Sequence, residues 1–367
     1  MVNISKLGFG AMRLPVLEDR SIDMKQLMQM IDVSMENSVT YYDTAYKYHD
    51  GLSEPALAEA LVDRYPRDSF MLADKMSVWA LPAGGGAQSM MEMVDDQLRR
   101  LHTDYIDNYL IHNIHEESWP VLLKKDMAKF VGELRKSGKV GKIGFSFHGA
   151  PPLLHDILDA EQWDFAQIQM NYYDWNGLQK ASEQHRILQE AGLDIIVMEP
   201  VRGGLLANLP PRAQEILYKA GYAHSPASLA LRWAASRPGV ICVLSGMSTL
   251  GQTEENVMTM KDMQPVNTEE ESLVEQVLDK LREVDLIPCT GCAYCVDVCP
   301  LKIDIPAAIT ALNDARSFGS DQGARTFQMW QDDKRRPARC LDCGECALVC
   351  PQQLRPFEEM AVYRQWL

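Results

Sequence analysis

The chain has 367 residues, 46% of them hydrophobic and 24% charged, with a formal net charge of −15. That is enough apolar material for one large core and a smaller second domain, and the acidic balance argues against a nucleic-acid-binding surface. A run of about 18 uncharged apolar residues is absent, which argues against a membrane span, and the opening MVNISKLGFG lacks the basic and apolar regions of a secretory signal. Apolar stretches then alternate with amphipathic ones from residue 7 to 260. Strands are expected at LGFGAM (7–12), VTYYDTA (39–45), FMLADKM (70–76), IDNYLIH (106–112), KIGFSFH (142–148), AQIQMNY (166–172), DIIVMEP (194–200) and VICVLSGM (240–247). The intervening stretches MKQLMQMIDVSMENS, EPALAEALVDRY, QSMMEMVDDQLRRL and SPASLALRWAAS read as helices, and Gly138 and Gly192 close two more. Eight strand–helix units in about 250 residues predict a closed (β/α)8 barrel, here over residues 1–285. An open doubly wound sheet would begin with a Gly-rich phosphate turn, which LGFGAMRL is not. A helix is expected at 268–284, and a smaller, mainly helical domain at 286–367.

That second domain holds most of the cysteine. Of nine cysteines, only Cys242 stands outside the runs CTGCAYCVDVCP (289–300) and CLDCGECALVCP (340–351). This is the usage of a metal protein, not of a secreted disulfide framework, so a cytoplasmic protein is expected. Both runs share the spacing C-x2-C-x2-C-x3-C-P. In two-cluster ferredoxins the fourth cysteine of each such run ligates the other cluster. The spacing therefore assigns Cys289, Cys292, Cys295 and Cys350 to one [4Fe–4S] cluster, and Cys340, Cys343, Cys346 and Cys299 to a second. Zinc would need four ligands per site without the trailing Cys-Pro. Cys242, in an apolar strand, reads as a small core residue. The segment DKRRPAR (333–339) beside the second run either attracts an acidic electron-transfer partner or is a solvated basic face.

In a barrel of this kind the chemistry sits at the C-terminal ends of the strands and in the loops that follow. Those ends carry Asp43, Lys75, His112, Ser146, Gln167 or Gln169, Glu199 and Gly246, with Tyr48 just beyond the second strand. A tyrosine beside a lysine ammonium is expected to have a lowered pKa, with Asp43 holding the lysine charged. His112 would orient a substrate oxygen, giving a proton-donating site for carbonyl reduction.

The stretch YYDTAYKYHDGLSEPALAEAL resembles the aldo/keto reductase signature, an Asp-x4-Tyr followed by a Gly-x-Ser-Glu helix start. LADKM resembles the family's lysine strand and DYIDNYLIH its histidine strand. IGFSF, AQIQMNYY, IIVMEPVRGGLL and SPASLALRWA follow in family order, so the resemblance covers roughly residues 5–260. The whole chain resembles the subgroup with a C-terminal 4Fe–4S ferredoxin domain. The resemblance implies that Tyr48 is the general acid, tuned by Asp43 and Lys75, with His112 orienting the carbonyl; His115 is read as structural. It also implies an NAD(P)(H) cofactor along Met12, Ser146, Gln167, Met198, Glu255 and Asn256.

Several positions depart from the family pattern. The fifth strand reads Gly144-Phe145-Ser146-Phe147-His148 in place of Gly-x-Ser-Asn, and Met198 replaces the aromatic residue that stacks on nicotinamide. Gly246 and Gln252 stand where NADP-preferring members place a lysine and an arginine. NAD, NADP and a flavin all stay open. Trp79 and Trp119, in expected pocket loops, favour an apolar or aromatic carbonyl substrate. The expected activity is an oxidoreductase acting on a carbonyl, an alcohol or a related unsaturated substrate, with electron transfer through its two clusters; a redox partner protein is a further candidate. The alternatives are an ordinary NAD(P)H carbonyl reductase with a structural or regulatory ferredoxin domain, and a non-catalytic electron relay.

Overall fold

The structure, a computed structural model, describes residues 2–82, 84–177 and 179–366. Eight parallel strands close a barrel in chain order: β1 (Leu7–Gly10), β2 (Tyr41–Asp43), β3 (Met71–Met76), β4 (Ile106–Ile114), β5 (Val140–Phe147), β6 (Phe165–Gln169), β7 (Asp194–Met198) and β8 (Val240–Ser245). β8 pairs back onto β1 through Leu7 with Val243 and Gly8 with Leu244. Strands covered on both faces need apolar residues on both, and Ile195, Ile196 and Val197 of β7 are fully buried. β1 is shorter than its pattern suggested, because Ala11–Arg13 turns as a 3-10 helix. β4 is longer, reaching Ile114 through a register shift between Ile111 and Ile114.

Successive side chains of a strand point to opposite faces, so the barrel interior fills in layers two residues apart. One layer is apolar: Tyr41, Ala73, Leu110, Phe165, Ile196 and Cys242 pack together with Leu244. Two positions further along the same strands lie Asp43, Lys75, His112, Gln167 and Met198. The polar residues therefore begin where the plug ends. Gly8 fits this crowded interior because a Cβ there would come within 2.6 Å of Leu244 and 2.9 Å of the Cys242 sulfur. Burial pushes the Cys242 thiol well up, as befits a core residue.

The barrel residues form one compact unit, spanning 1–207 and 224–268; the other comprises 208–223 and 269–367. The second unit is helical, built on Ile305–Phe318 and Gln322–Trp330 with the shorter helices Tyr294–Val298, Glu345–Leu348 and Pro356–Met360. Asp304 caps Ile305–Phe318 by accepting from Ala307 N, and Gly319 closes it in the left-handed conformation. Its core gathers Ile303, Ile305, Ile309, Leu312, Met360 and Tyr363. The Tyr363 hydroxyl donates to the Ala308 carbonyl at 2.6 Å, and Asn313 pairs with both backbone groups of Ile287. The expected helix at 268–284 is Thr268–Arg282, and Arg212 of helix Pro211–Lys219 donates to the carbonyls of Lys280 and Ser317. Among the described residues, no helix is long and apolar enough to cross a membrane.

Candidate active site and cluster sites

Lys75 Nζ lies 2.5 Å from Asp43 Oδ1 and donates to the Thr44 carbonyl at 2.7 Å, with both side chains buried. The same ammonium stands 4.9 Å from the centre of the Tyr48 ring. The Tyr48 and His112 ring centres are 5.8 Å apart, nearly perpendicular. Thus residues from β2, β3, β4 and the loop after β2 meet at one point. Tyr48 reaches it because the turn Tyr48–Gly51 takes left-handed backbone at His49 and Asp50. That turn is tied down where His49 Nε2 accepts from Leu14 N at 3.0 Å.

The electrostatics differ from the sequence expectation in one respect. Burial pushes the Tyr48 hydroxyl above its ordinary value, and the opposing pull of Lys75 does not reverse this. The expected lowering fails because the site is dry: desolvation penalises the phenolate more than one ammonium, already neutralised by Asp43, can favour it. Burial alone would lower Lys75, but Asp43, Tyr48 and Asp74 together hold it above its usual range, hence protonated. Burial, with Lys75 and His148 nearby, pushes His112 well below 6.5, so its ring is neutral. Ser77 Oγ lies 3.2 Å from His112 Nδ1; with Ser77 donating, the ring proton sits on Nε2. Trp79, half exposed, packs 5.0 Å from the His112 ring, whereas Trp119 is buried.

Behind Lys75 stands a group of residues that sequence reasoning did not single out. Asp74 Oδ1 accepts from Lys75 N at 2.7 Å, and Gln97 Nε2 donates to the Lys75 carbonyl at 3.1 Å, so the lysine backbone is clamped from both sides. Gln97 is itself fixed by the Tyr109 hydroxyl at 2.5 Å. The Asp74 carboxyl meets that of Glu54, which pairs with Arg100 at 2.8 Å. Burial first, and then Glu54, push Asp74 well up, which favours a proton on this pair of buried carboxyls. Glu54 is the Glu of the Gly-x-Ser-Glu start, which was legible only as a helix signal. The Ser53 hydroxyl of that start donates to the Ala11 carbonyl at 3.1 Å.

The nicotinamide positions fall on the next strands round the barrel. Gln167 and Met198 are in contact, Nε2 to sulfur at 3.7 Å, and Gln167 Oε1 is buried with no donor among the described residues. Ser146 Oγ accepts from Asn113 N at 2.8 Å, beside the register shift that follows His112. A carboxamide needs one acceptor for its NH2 and one donor for its carbonyl; Gln167 Oε1 and the Ser146 hydroxyl supply that pair, so the residues fit a nicotinamide amide. Further round, Arg13 pairs with Glu199 at 2.9 Å, and the Ser248 hydroxyl donates to the Arg13 carbonyl. Asn256 is buried and donates to Ser245 Oγ at 3.0 Å, while Glu255 and Met12 are exposed. Gln252 Oε1 accepts from Ser248 N.

In the second unit the cysteines surround two cavities. One, about 340 Å3 counting the space open to solvent at its mouth, is lined by Cys289, Cys292, Cys295 and Cys350 together with Ile309, Leu354 and Pro356. The other, about 360 Å3, is lined by Cys299, Cys340, Cys343 and Cys346 with Leu301, Ile303, Leu341 and Met360. Each cavity takes three thiols from one run and the fourth from the other, and no histidine or carboxylate is among the lining residues. This all-sulfur, apolar setting fits iron–sulfur clusters.

Comparison with known proteins agrees with both halves. Residues 6–279 match the aldo/keto reductase family model, and residues 288–354 match that of a 4Fe-4S dicluster domain. L-Galactose dehydrogenase of Arabidopsis thaliana is 24% identical over 77% of this chain and 93% of its own length. Methylglyoxal reductase YeaE of Escherichia coli is 25% identical over 66% of this chain and 82% of its own. Among solved structures, the holo form of aldo-keto reductase AKR11C1 from Bacillus halodurans superposes with a TM-score of 0.62 at 26% identity, covering 75% of this chain and 92% of that one. The chain is a member of the aldo/keto reductase family, an oxidoreductase barrel joined to a 4Fe-4S dicluster domain.

Proposed function

We propose that the chain is a cytoplasmic enzyme that interconverts a carbonyl compound and its alcohol on an NAD(P)(H)-bearing barrel, exchanging single electrons through two [4Fe–4S] clusters. The observation that carries the catalytic part is the meeting of Tyr48, Lys75, Asp43 and His112 at one buried point. A bound nicotinamide would supply hydride, and Ser146, Gln167 and Met198 would hold its amide ring. Tyr48, kept protonated by burial, gives its proton to the substrate oxygen. Lys75 stabilises the phenolate left behind, and Asp43 keeps that ammonium charged and in place. Neutral His112 donates from Nε2 to the same oxygen and so fixes the carbonyl in line. Trp79 beside His112 favours an apolar or aromatic substituent on the carbonyl. The names of two relatives, a sugar dehydrogenase and a methylglyoxal reductase, support the same reaction class in both directions.

Cys289, Cys292, Cys295 and Cys350 would hold one cluster, and Cys299, Cys340, Cys343 and Cys346 the other. Each takes or gives one electron at a time, so exchange with a hydride-transferring barrel would need a group such as a flavin that can pass electrons singly and in pairs. The test is anaerobic: reduce the clusters with dithionite, remove the excess, and follow their absorbance on adding NAD+, NADP+ or carbonyl compounds, with bound flavin assayed in parallel. Reoxidation at the rate of turnover supports electron exchange with the barrel. Clusters that stay reduced while the barrel turns over NAD(P)H would leave a carbonyl reductase with a structural ferredoxin domain. A stoichiometric flavin would replace the nicotinamide reading.

A further inference from the structure

The two cysteine cavities differ at their rims. The run around the first, Cys289–Cys299, contains Asp297 and no lysine or arginine, and Arg355, between the lining residues Leu354 and Pro356, is paired with Glu358 at 2.7 Å. Around the second, cations converge from three segments. Lys302 lies between the lining residues Leu301 and Ile303; its ammonium donates to the Asp297 carbonyl at 2.6 Å, and its own carbonyl accepts from Arg335 Nε at 3.0 Å. Arg364 Nη2 donates to the Cys340 carbonyl at 3.0 Å and to Asp342 Oδ1 at 2.6 Å. Arg339 immediately precedes Cys340 and shares Asp333 with Arg336, at 3.4 and 3.5 Å. Lys334 is exposed. Asp332, Asp333, Asp342 and the exposed Glu345 only partly offset Lys302, Lys334, Arg335, Arg336, Arg339 and Arg364, in a chain whose net charge is −15. Inside this basic rim the surface turns apolar. Leu341, which lines the cavity, is 62% exposed, Leu348 on the same short segment as Cys346 is 80% exposed, and Cys343 is itself at the surface.

We infer that this face, a basic rim around exposed Leu341 and Leu348, is the docking surface for a small acidic one-electron carrier protein, which exchanges electrons at the cluster site of Cys299, Cys340, Cys343 and Cys346. The inference rests on the cluster reading proposed above. Cations needed only to neutralise bound thiolates would sit against the sulfurs and would not require exposed leucines among them. A transient redox contact needs a small apolar centre for close approach and charge at its edge to steer encounter. The opposite sign of the rim and of the rest of the chain aligns an acidic carrier on this face rather than elsewhere. A reduced carrier gives up one electron and leaves oxidised; the cluster site gains that electron, and no bond forms or breaks.

The test uses the cluster-loaded full chain and a purified acidic [2Fe–2S] ferredoxin, with two readouts: the Kd of the oxidised pair, and the rate of cluster reduction by reduced ferredoxin. Binding should weaken steeply as salt is raised. Lys334→Glu with Arg339→Glu should slow association at low salt by roughly tenfold or more and raise Kd in step. The same charge change on the barrel helix Met127–Ser137, Lys129→Glu with Lys136→Glu, should leave both readouts close to wild type. Equal effects of the two pairs, no salt dependence, or no binding at low salt would each overturn the docking surface. Should the reversed pair lose iron, Lys334→Gln with Arg339→Gln gives the same comparison with a smaller expected shift. Reduction of every variant by dithionite keeps the two ideas apart: a wild-type chain without clusters sinks the cluster reading, whereas normal dithionite reduction with unaltered carrier binding sinks only the docking face.

Discussion

The barrel and the cysteine unit build their sites in opposite ways. In the cysteine unit, three of the four thiols at each cavity come from one short run, Cys289, Cys292 and Cys295 or Cys340, Cys343 and Cys346, and only the fourth is remote. In the barrel every member comes from a different strand or loop, and Asp43, Lys75 and His112 meet only because parallel strands in register stack their alternate residues. A local motif announces itself by spacing. A layered site announces itself only after the strands have been placed, since a lone Asp, Lys or His in a sequence is a common residue. The same difference governs how each site should fail.

The largest effect is expected where the barrel site has no substitute. Tyr48→Phe removes the proposed proton donor and should lower kcat by roughly 10²- to 10⁴-fold, while the cluster absorbance stays that of wild type. The pH profile sharpens the point. Because burial raises Tyr48, carbonyl reduction should hold up through pH 10.0, the ordinary tyrosine value, and fall only beyond it. Because burial depresses His112, its protonation should not cut activity until pH is well below 6.5. A rate that declines between pH 7 and 9 would show that Lys75 dominates Tyr48 after all.

A second experiment breaks the local rule of the cysteine unit. Cys350→Ala lies in the second run, yet it should destabilise the site of Cys289, Cys292 and Cys295; Cys299→Ala should do the reverse. Iron content should fall to about half in either case, with different residual electron-resonance signals for the two variants. A residual signal of Cys350→Ala that matches that of Cys289→Ala supports the crossed pairing, whereas one that matches that of Cys343→Ala would mean that each run feeds its own cluster.

The smallest effect is expected behind Lys75. Asp74→Asn preserves the acceptor for Lys75 N and replaces the shared proton by an amide donor to Glu54, so it should be tolerated. Asp74→Leu leaves Glu54 facing an apolar group and should cost about 1–3 kcal/mol of stability. The sign with pH follows from the raised pKa: folded Asp74 binds a proton that the unfolded chain has released above 3.8, so its contribution is largest at low pH and is lost as pH rises. Asp74→Asn should flatten that decline, measured as denaturation midpoints at pH 5 and pH 8. A steeper decline would count against the shared proton.

Much of the molecule was legible beforehand for stated reasons. All eight strands were marked by short apolar runs with breakers between them, because parallel strands buried on both faces admit little else. The cluster cysteines were marked by spacing, because one tight loop can offer three thiols to one site. The candidate catalytic residues were picked out as strand-end positions and through a family pattern. Their electrostatics were not. The lowered pKa expected for Tyr48 used only the charge beside it and omitted desolvation, which depends on the completed barrel. Asp74 and Glu54 escaped notice because twenty residues of chain separate two carboxyls whose meaning lies in their contact. The sequence by itself determined which residues could do chemistry, since side-chain type and local spacing are properties of the chain. The tertiary structure decided which of them share a dry interior, because burial, and with it the balance of charge and proton, exists only once the barrel has closed around them.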